Sequence, residues 1–184
     1  MSENRTRIGK IICAVRTEED FSLALTSKPD VIFYLAPDIL TLKEKVERAH
    51  NAKKKLFIHI DLATGIGKDK SGILYAKGCG VDGIISTRVS MIKAARELSL
   101  FTVQRFFIVD SQSIYTTIDS VKSAKPDMIE IMPGLLSKTL TRLSHELSVP
   151  VIAGGLIEAE DEVNTAIFSG AVSVSTGKSE LWNM

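Results

Sequence analysis

The chain has 184 residues, 45% of them apolar, and 23 basic against 22 acidic side chains, for a net charge of +1. That length suits one domain over 1–184 with a core large enough to need no disulfide or metal, and the balanced charge gives no global field to draw in nucleic acid or an anionic membrane. Cys13 and Cys79 lack Cys-x-x-Cys spacing, no apolar run reaches a membrane span, and MSENRTRIGK at the N-terminus has no apolar segment behind it; the expectation is a soluble, cytoplasmic protein with reduced thiols and no membrane partner.

Short β-branched runs recur along the chain: IICAV (Ile11 to Val15), VIFYLA (Val31 to Ala36), LFIHID (Leu56 to Asp61), GIISTR (Gly83 to Arg88) and FTVQRFF (Phe101 to Phe107). MIEIMP (Met128 to Pro133), PVIAGG (Pro150 to Gly155) and AVSVSTG (Ala171 to Gly177) complete the series. The stretches between them, such as ILTLKEKVERAH and SMIKAARELS, have apolar residues at three- and four-residue spacing. Strands buried on both faces read as near-continuous apolar runs, and intervening helices impose parallel crossovers. Eight units predict an α/β protein of the compact (β/α)₈ TIM type, with short loops, a brief third helix and a short final helix, KSELWNM. An open dinucleotide-binding sheet would want G-x-G-x-x-G after its first strand, where this chain has RTEED. So little cover over the last strand suggests a homodimer that buries that face.

The string TGKS near the C-terminus looks like the end of a P-loop, but the first glycine of that motif would fall on Val172 and no long helix follows. In a barrel, a phosphate often binds the loops after strands seven and eight. Those loops offer Gly154 and Gly155, then Ser175, Thr176 and Gly177, whose small side chains let backbone N–H groups approach an anion. A pair of glycines after one strand is usually only a tight turn; two such loops together favour a phosphate cup.

Other polar residues fall near strand ends. Asp61 ends the third run and Glu130 sits in the sixth, where a dry, unpaired carboxylate would be unstable, so it must have partners. Gln104 and Arg105 are adjacent, so only one faces the lumen. The glycine-rich third loop, ATGIGKDKSGI, carries Lys68 and Lys70 and is read as a lid. Basic clusters at Arg5, Arg7 and Lys10, and at Lys53 to Lys55, are read as solvated, the latter at the bottom of the barrel. His59 has no second ligand at metal spacing, and no metal is expected. No strand run contains a Schiff-base lysine, and Asp61 with Glu130 would suffice only for an isomerase-type proton transfer. Residue chemistry thus stops at a small phosphate-binding barrel, enzyme or sensor.

The strings HIDL, DGIISTR, VQRFFIVDS, PDMIEIMPG, PVIAGGLI and VSTGKSELW, in this order, resemble the glycerol-3-phosphate-responsive antiterminator family. The resemblance implies a barrel, not an enzyme, that senses glycerol 3-phosphate as effector without a cofactor and binds the leader mRNA of glycerol-catabolism operons, promoting read-through and stabilising the message. With that ligand, Gly154, Gly155, Ser175, Thr176 and Gly177 would take the phosphate, and Asp61, Gln104 and Glu130 the glycerol hydroxyls. A basic rim of Lys68, Lys70, Arg88, Arg105 and Lys178 would face the RNA. The competing reading is an isomerase or lyase acting on a small sugar phosphate.

Overall fold

The computed structural model describes residues 8–184; Arg5 and Arg7 lie outside the described residues. Eight parallel strands close into a barrel in sequence order: β1 (Ile11–Val15), β2 (Val31–Tyr34), β3 (Lys55–His59), β4 (Gly83–Ser86), β5 (Phe101–Phe107), β6 (Met128–Met132), β7 (Val151–Gly154) and β8 (Ser173–Thr176). Seven helices alternate with them: α1 (Glu18–Thr26), α2 (Leu42–Asn51), α3 (Lys70–Gly78), α4 (Val89–Glu97), α5 (Ser111–Ala124), α6 (Ser137–Glu146) and α7 (Glu160–Phe168). The third helix is longer than its sequence suggested because Asp69 caps it, accepting from the Gly72 N–H at 2.9 Å.

Alternation along each strand divides the core in two. Ile12, Phe33, Phe57, Ile85, Val103 and Ile152 fill the lumen, while Ile11, Cys13, Ile32, Ile58 and Ile84 pack outward against the helices. Gly83 is required here, since a Cβ would stand 2.7 Å from the Phe57 ring. Both cysteines are free, and burial pushes the Cys13 thiol up to about 11. Lys55 begins β3, one residue earlier than the run suggested, so one strand does contain a lysine; it sits at the bottom of the barrel, beside Val31. Lys54 is buried rather than solvated and donates to the carbonyls of Ser27 and Pro29.

After β8 the chain makes only a 3₁₀ turn, Ser179–Leu181, yet β8 is fully buried. Trp182, 2% exposed, lies here and donates from Nε1 to the Thr176 carbonyl at 2.9 Å, while Lys28 near α1 holds the Asn183 carbonyl at 2.6 Å. The sparse cover expected over β8 is therefore supplied within the chain, and a homodimer would need another surface. Among the described residues no helix is long and apolar enough to cross a membrane.

Candidate functional site

A cavity of about 460 Å³ opens at the C-terminal ends of the strands, between the loops after β1, β7 and β8. Its floor comes from lumen-facing residues of β5, β6 and β8. Arg105 and Glu130 are register partners, so their side chains leave adjacent strands on the same face. The Arg105 Nε donates to Glu130 Oε2 at 2.6 Å, and the Ser175 hydroxyl donates to the other carboxylate oxygen. All three are nearly removed from water, so the carboxylate is satisfied by one charge and one hydroxyl rather than by solvent. His59 lies in the same polar layer; burial, and then the Arg105 charge, push its pKa down to about 4. Its Nδ1 has no partner among the described residues.

The walls are loops. Gly155 and Leu156 both have left-handed backbones, with φ of 73° and 60°. Consecutive left-handed residues form a turn in which successive N–H groups point the same way, and a non-glycine residue held there is strained by roughly 1–2 kcal/mol. Among the described residues no backbone or side-chain acceptor takes the N–H of Leu156 or Gly177, both of which line the cavity; Gly155, which also lines it, stands at the end of the β7–β8 ladder. Thr176 ties the two loops together: its hydroxyl donates to the Ile157 carbonyl at 2.8 Å and accepts from the Lys178 N–H at 3.1 Å. Across the mouth, Lys178 Nζ stands 3.8 Å from Glu158 Oε1.

Of the sequence-derived residues, Gly155, Ser175, Thr176, Gly177, Glu130, Arg105 and Lys178 line the cavity. Four assignments need correction. Gly154 does not line it; it lies beneath, where a Cβ would meet the Glu130 carboxylate and stand 2.8 Å from Ser175 Oγ, so its smallness lets those two side chains meet. Gln104 points the other way, its Nε2 donating to Ser120 Oγ of α5 at 2.8 Å, because Arg105 takes the lumen side of β5. Asp61 is drawn into the β4–α4 connection, accepting from Ser86 Oγ, the Thr87 N–H and Thr87 Oγ1 at 2.7 to 2.9 Å. Arg105, 4% exposed, cannot belong to an RNA-facing rim.

The remaining basic candidates lie away from the cavity. Lys70 pairs with Glu97 at 2.7 Å on the helix layer, Arg88 is half exposed with Nε 3.7 Å from Asp61, and Lys68 is exposed on the third loop. Sequence reasoning missed Arg16, which follows β1, is exposed, lines the cavity and has no hydrogen-bond or ion-pair partner among the described residues. Its signal was its place, the first residue past a barrel strand. Asp20 of α1 and Met132 of β6 were also missed. Among the described residues no three His, Cys, Asp or Glu side chains gather as a metal site would require.

The family model for the glycerol-3-phosphate responsive antiterminator matches residues 11–182. The chain belongs to that family. This antiterminator-family chain is 37% identical over 179 residues to the uncharacterized protein YgcP of Escherichia coli K12, covering 97% of itself and 94% of YgcP. The glycerol uptake operon antiterminator regulatory protein of Listeria monocytogenes superposes with a TM-score of 0.90 at 33% identity, over 94% of both chains. A glycerol uptake operon antiterminator-related protein of Thermotoga maritima gives 0.87 at 29% identity, over 97% of this chain and 100% of the other. The expected family and the (β/α)₈ fold are both borne out.

Proposed function

We propose that the protein is an effector-controlled antiterminator: it holds glycerol 3-phosphate in the cavity and, when loaded, binds the leader mRNA of glycerol-catabolism operons, favouring read-through and a longer-lived message. The observation that carries this reading is Arg16, unpartnered among the described residues, on the same cavity as the N–H groups of Leu156 and Gly177, which likewise have no acceptor among them. A guanidinium and converging N–H groups are what a phosphate monoester needs, through charge-assisted hydrogen bonds. The Glu130–Ser175 pair on the floor then offers acceptors for the glycerol hydroxyls.

In this reading the ligand is an effector and is released unchanged. The one carboxylate at the floor is already engaged by Arg105 and Ser175, so it is poorly placed to move a proton. Arg88 and Lys68, exposed at strand-end loops outside the cavity, are the side chains offered to RNA phosphates. An effector shifts RNA affinity only by preferring one conformation, and the Thr176 and Lys178 links between the last two loops are what a phosphate between them would tighten.

The test is binding of a terminator-containing leader RNA at fixed salt, with and without glycerol 3-phosphate. Ligand-dependent binding, lost in Arg16→Ala and Gly155→Asp, is the expected result. Binding of neither RNA nor ligand by the folded wild type would overturn the reading, and consumption of a sugar phosphate would favour the isomerase or lyase.

A further inference from the structure

The protons on the cavity floor are already committed. Ser175 Oγ donates to Glu130 Oε1, and Glu130 Oε2 accepts from the Arg105 Nε at 2.6 Å. As the carboxylate of an ion pair, Glu130 only accepts, so the one hydroxyl proton of Ser175 is spent on it and Ser175 turns oxygen lone pairs to the cavity. Thr176, the other hydroxyl of the lining, donates to the Ile157 carbonyl at 2.8 Å. No neutral side chain of the lining therefore has a proton left to give, while Asp20 and Glu158 add two further acceptors. On the floor only the remaining N–H groups of Arg105 can donate to a ligand. Glu130 and Ser175 are 0% and 3% exposed, so water cannot make good a mismatch against them.

The place of Ser175 decides which ligand atom meets this floor. It stands two residues before Gly177, whose N–H is offered to the phosphate, a step of about 7 Å along extended backbone. A phosphate held at Gly177 lets its carbon chain descend onto the Ser175–Glu130 pair, and the second carbon is the first on that path to carry an oxygen of its own. In glycerol 3-phosphate this oxygen is a hydroxyl, which can donate to Ser175 or Glu130 and accept from Arg105 at the same time. In dihydroxyacetone phosphate it is a ketone oxygen, which can only accept and sets its lone pairs against theirs. The two compounds share their length, their phosphate and their terminal hydroxyl.

We propose that the Ser175–Glu130 pair reads the oxidation state of the second carbon, so that the site takes the alcohol and rejects the ketone. The proposal rests on the glycerol 3-phosphate reading above and adds its specificity. A dehydrogenation at the second carbon would thus erase the signal without changing the size or phosphate of the molecule. The test is calorimetric titration of the full chain at fixed salt with glycerol 3-phosphate, dihydroxyacetone phosphate and 2-deoxy-2-fluoroglycerol 3-phosphate, whose fluorine has nearly the size of a hydroxyl and cannot donate. Glycerol 3-phosphate should bind about tenfold or more tightly than either analogue, because a site built around a hydroxyl rejects a ligand that lacks its proton. Glu130→Gln, shown by circular dichroism to be folded, should narrow the gap to the ketone, since its amide can donate. Should that variant not fold, the order of the three ligands in wild type still decides the selectivity. Either analogue binding as tightly as glycerol 3-phosphate overturns the proposal and leaves the effector reading standing. A gap unchanged in folded Glu130→Gln overturns the assignment to this pair. Binding of none of the three removes the effector reading and the proposal with it.

Discussion

Arg105 and Glu130 face each other from adjacent strands at 2.6 Å, with 4% and 0% of their side chains exposed. A buried pair is costly to break from one side, because the remaining charge is left dry and unpaired. Glu130→Gln and Arg105→Leu should each destabilise the barrel by about 3–5 kcal/mol, and the double variant by less than the sum. Urea unfolding of the three variants checks this; strictly additive losses would mean that the two charges do not depend on each other.

His59 gives the barrel an acid-side weakness. Its folded pKa is pushed down to about 4 from 6.5, so between those values the unfolded chain binds the proton more readily. Stability is therefore full above pH 6.5 and falls as pH drops towards 4, by roughly 3 kcal/mol for this group at 1.36 kcal/mol per pKa unit. His59→Gln should flatten that part of the stability profile, measured by denaturation at a series of pH values. An unchanged slope would place the acid sensitivity elsewhere.

Gly154 at the end of β7 and the loop glycines Gly155 and Gly177 should respond differently to alanine. At Gly154 the new Cβ would press on the Glu130 carboxylate and on Ser175, for a loss of about 1–3 kcal/mol. At Gly155 the clash is with the flexible end of Met132, and the cost is the left-handed backbone, about 1–2 kcal/mol. At Gly177 the Cβ would stand 3.4 Å from the Ala14 carbonyl, an ordinary contact, so folding should be nearly unaffected. Thermal melts of the three variants test this order.

Arg16 should matter to the ligand and not to the fold. It is exposed and, among the described residues, unpartnered, so Arg16→Ala should leave stability within about 0.5 kcal/mol of wild type. Loss of a charge-assisted contact to phosphate should weaken glycerol 3-phosphate by about tenfold or more, since such bonds contribute ~1.5–3 kcal/mol. Trp182, the only tryptophan in the chain, is bonded to the Thr176 carbonyl beside the cup and supplies the fluorescence signal. Equal ligand affinity in the two proteins would remove Arg16 from the site.

The amino-acid sequence by itself determined the barrel and its direction. Apolar runs such as IICAV and MIEIMP can be buried on both faces only in a parallel sheet wrapped by helices, and the glycine-bearing loops after β7 and β8 fall where such a barrel holds its ligands. Only the tertiary structure decided which residues meet. Period two places Gln104 and Arg105 on opposite sides of β5 but leaves open which side is the lumen; that was settled by barrel closure, which put Glu130 in register with Arg105. Asp61 reads as a strand-end ligand residue until the β4–α4 connection arrives beside it with a hydroxyl pair and an N–H group. Arg16 carries no motif at all. It became a site residue because closing β8 against β1 brings Gly177 next to Ala14, a pairing of residues far apart in the chain that no local pattern encodes.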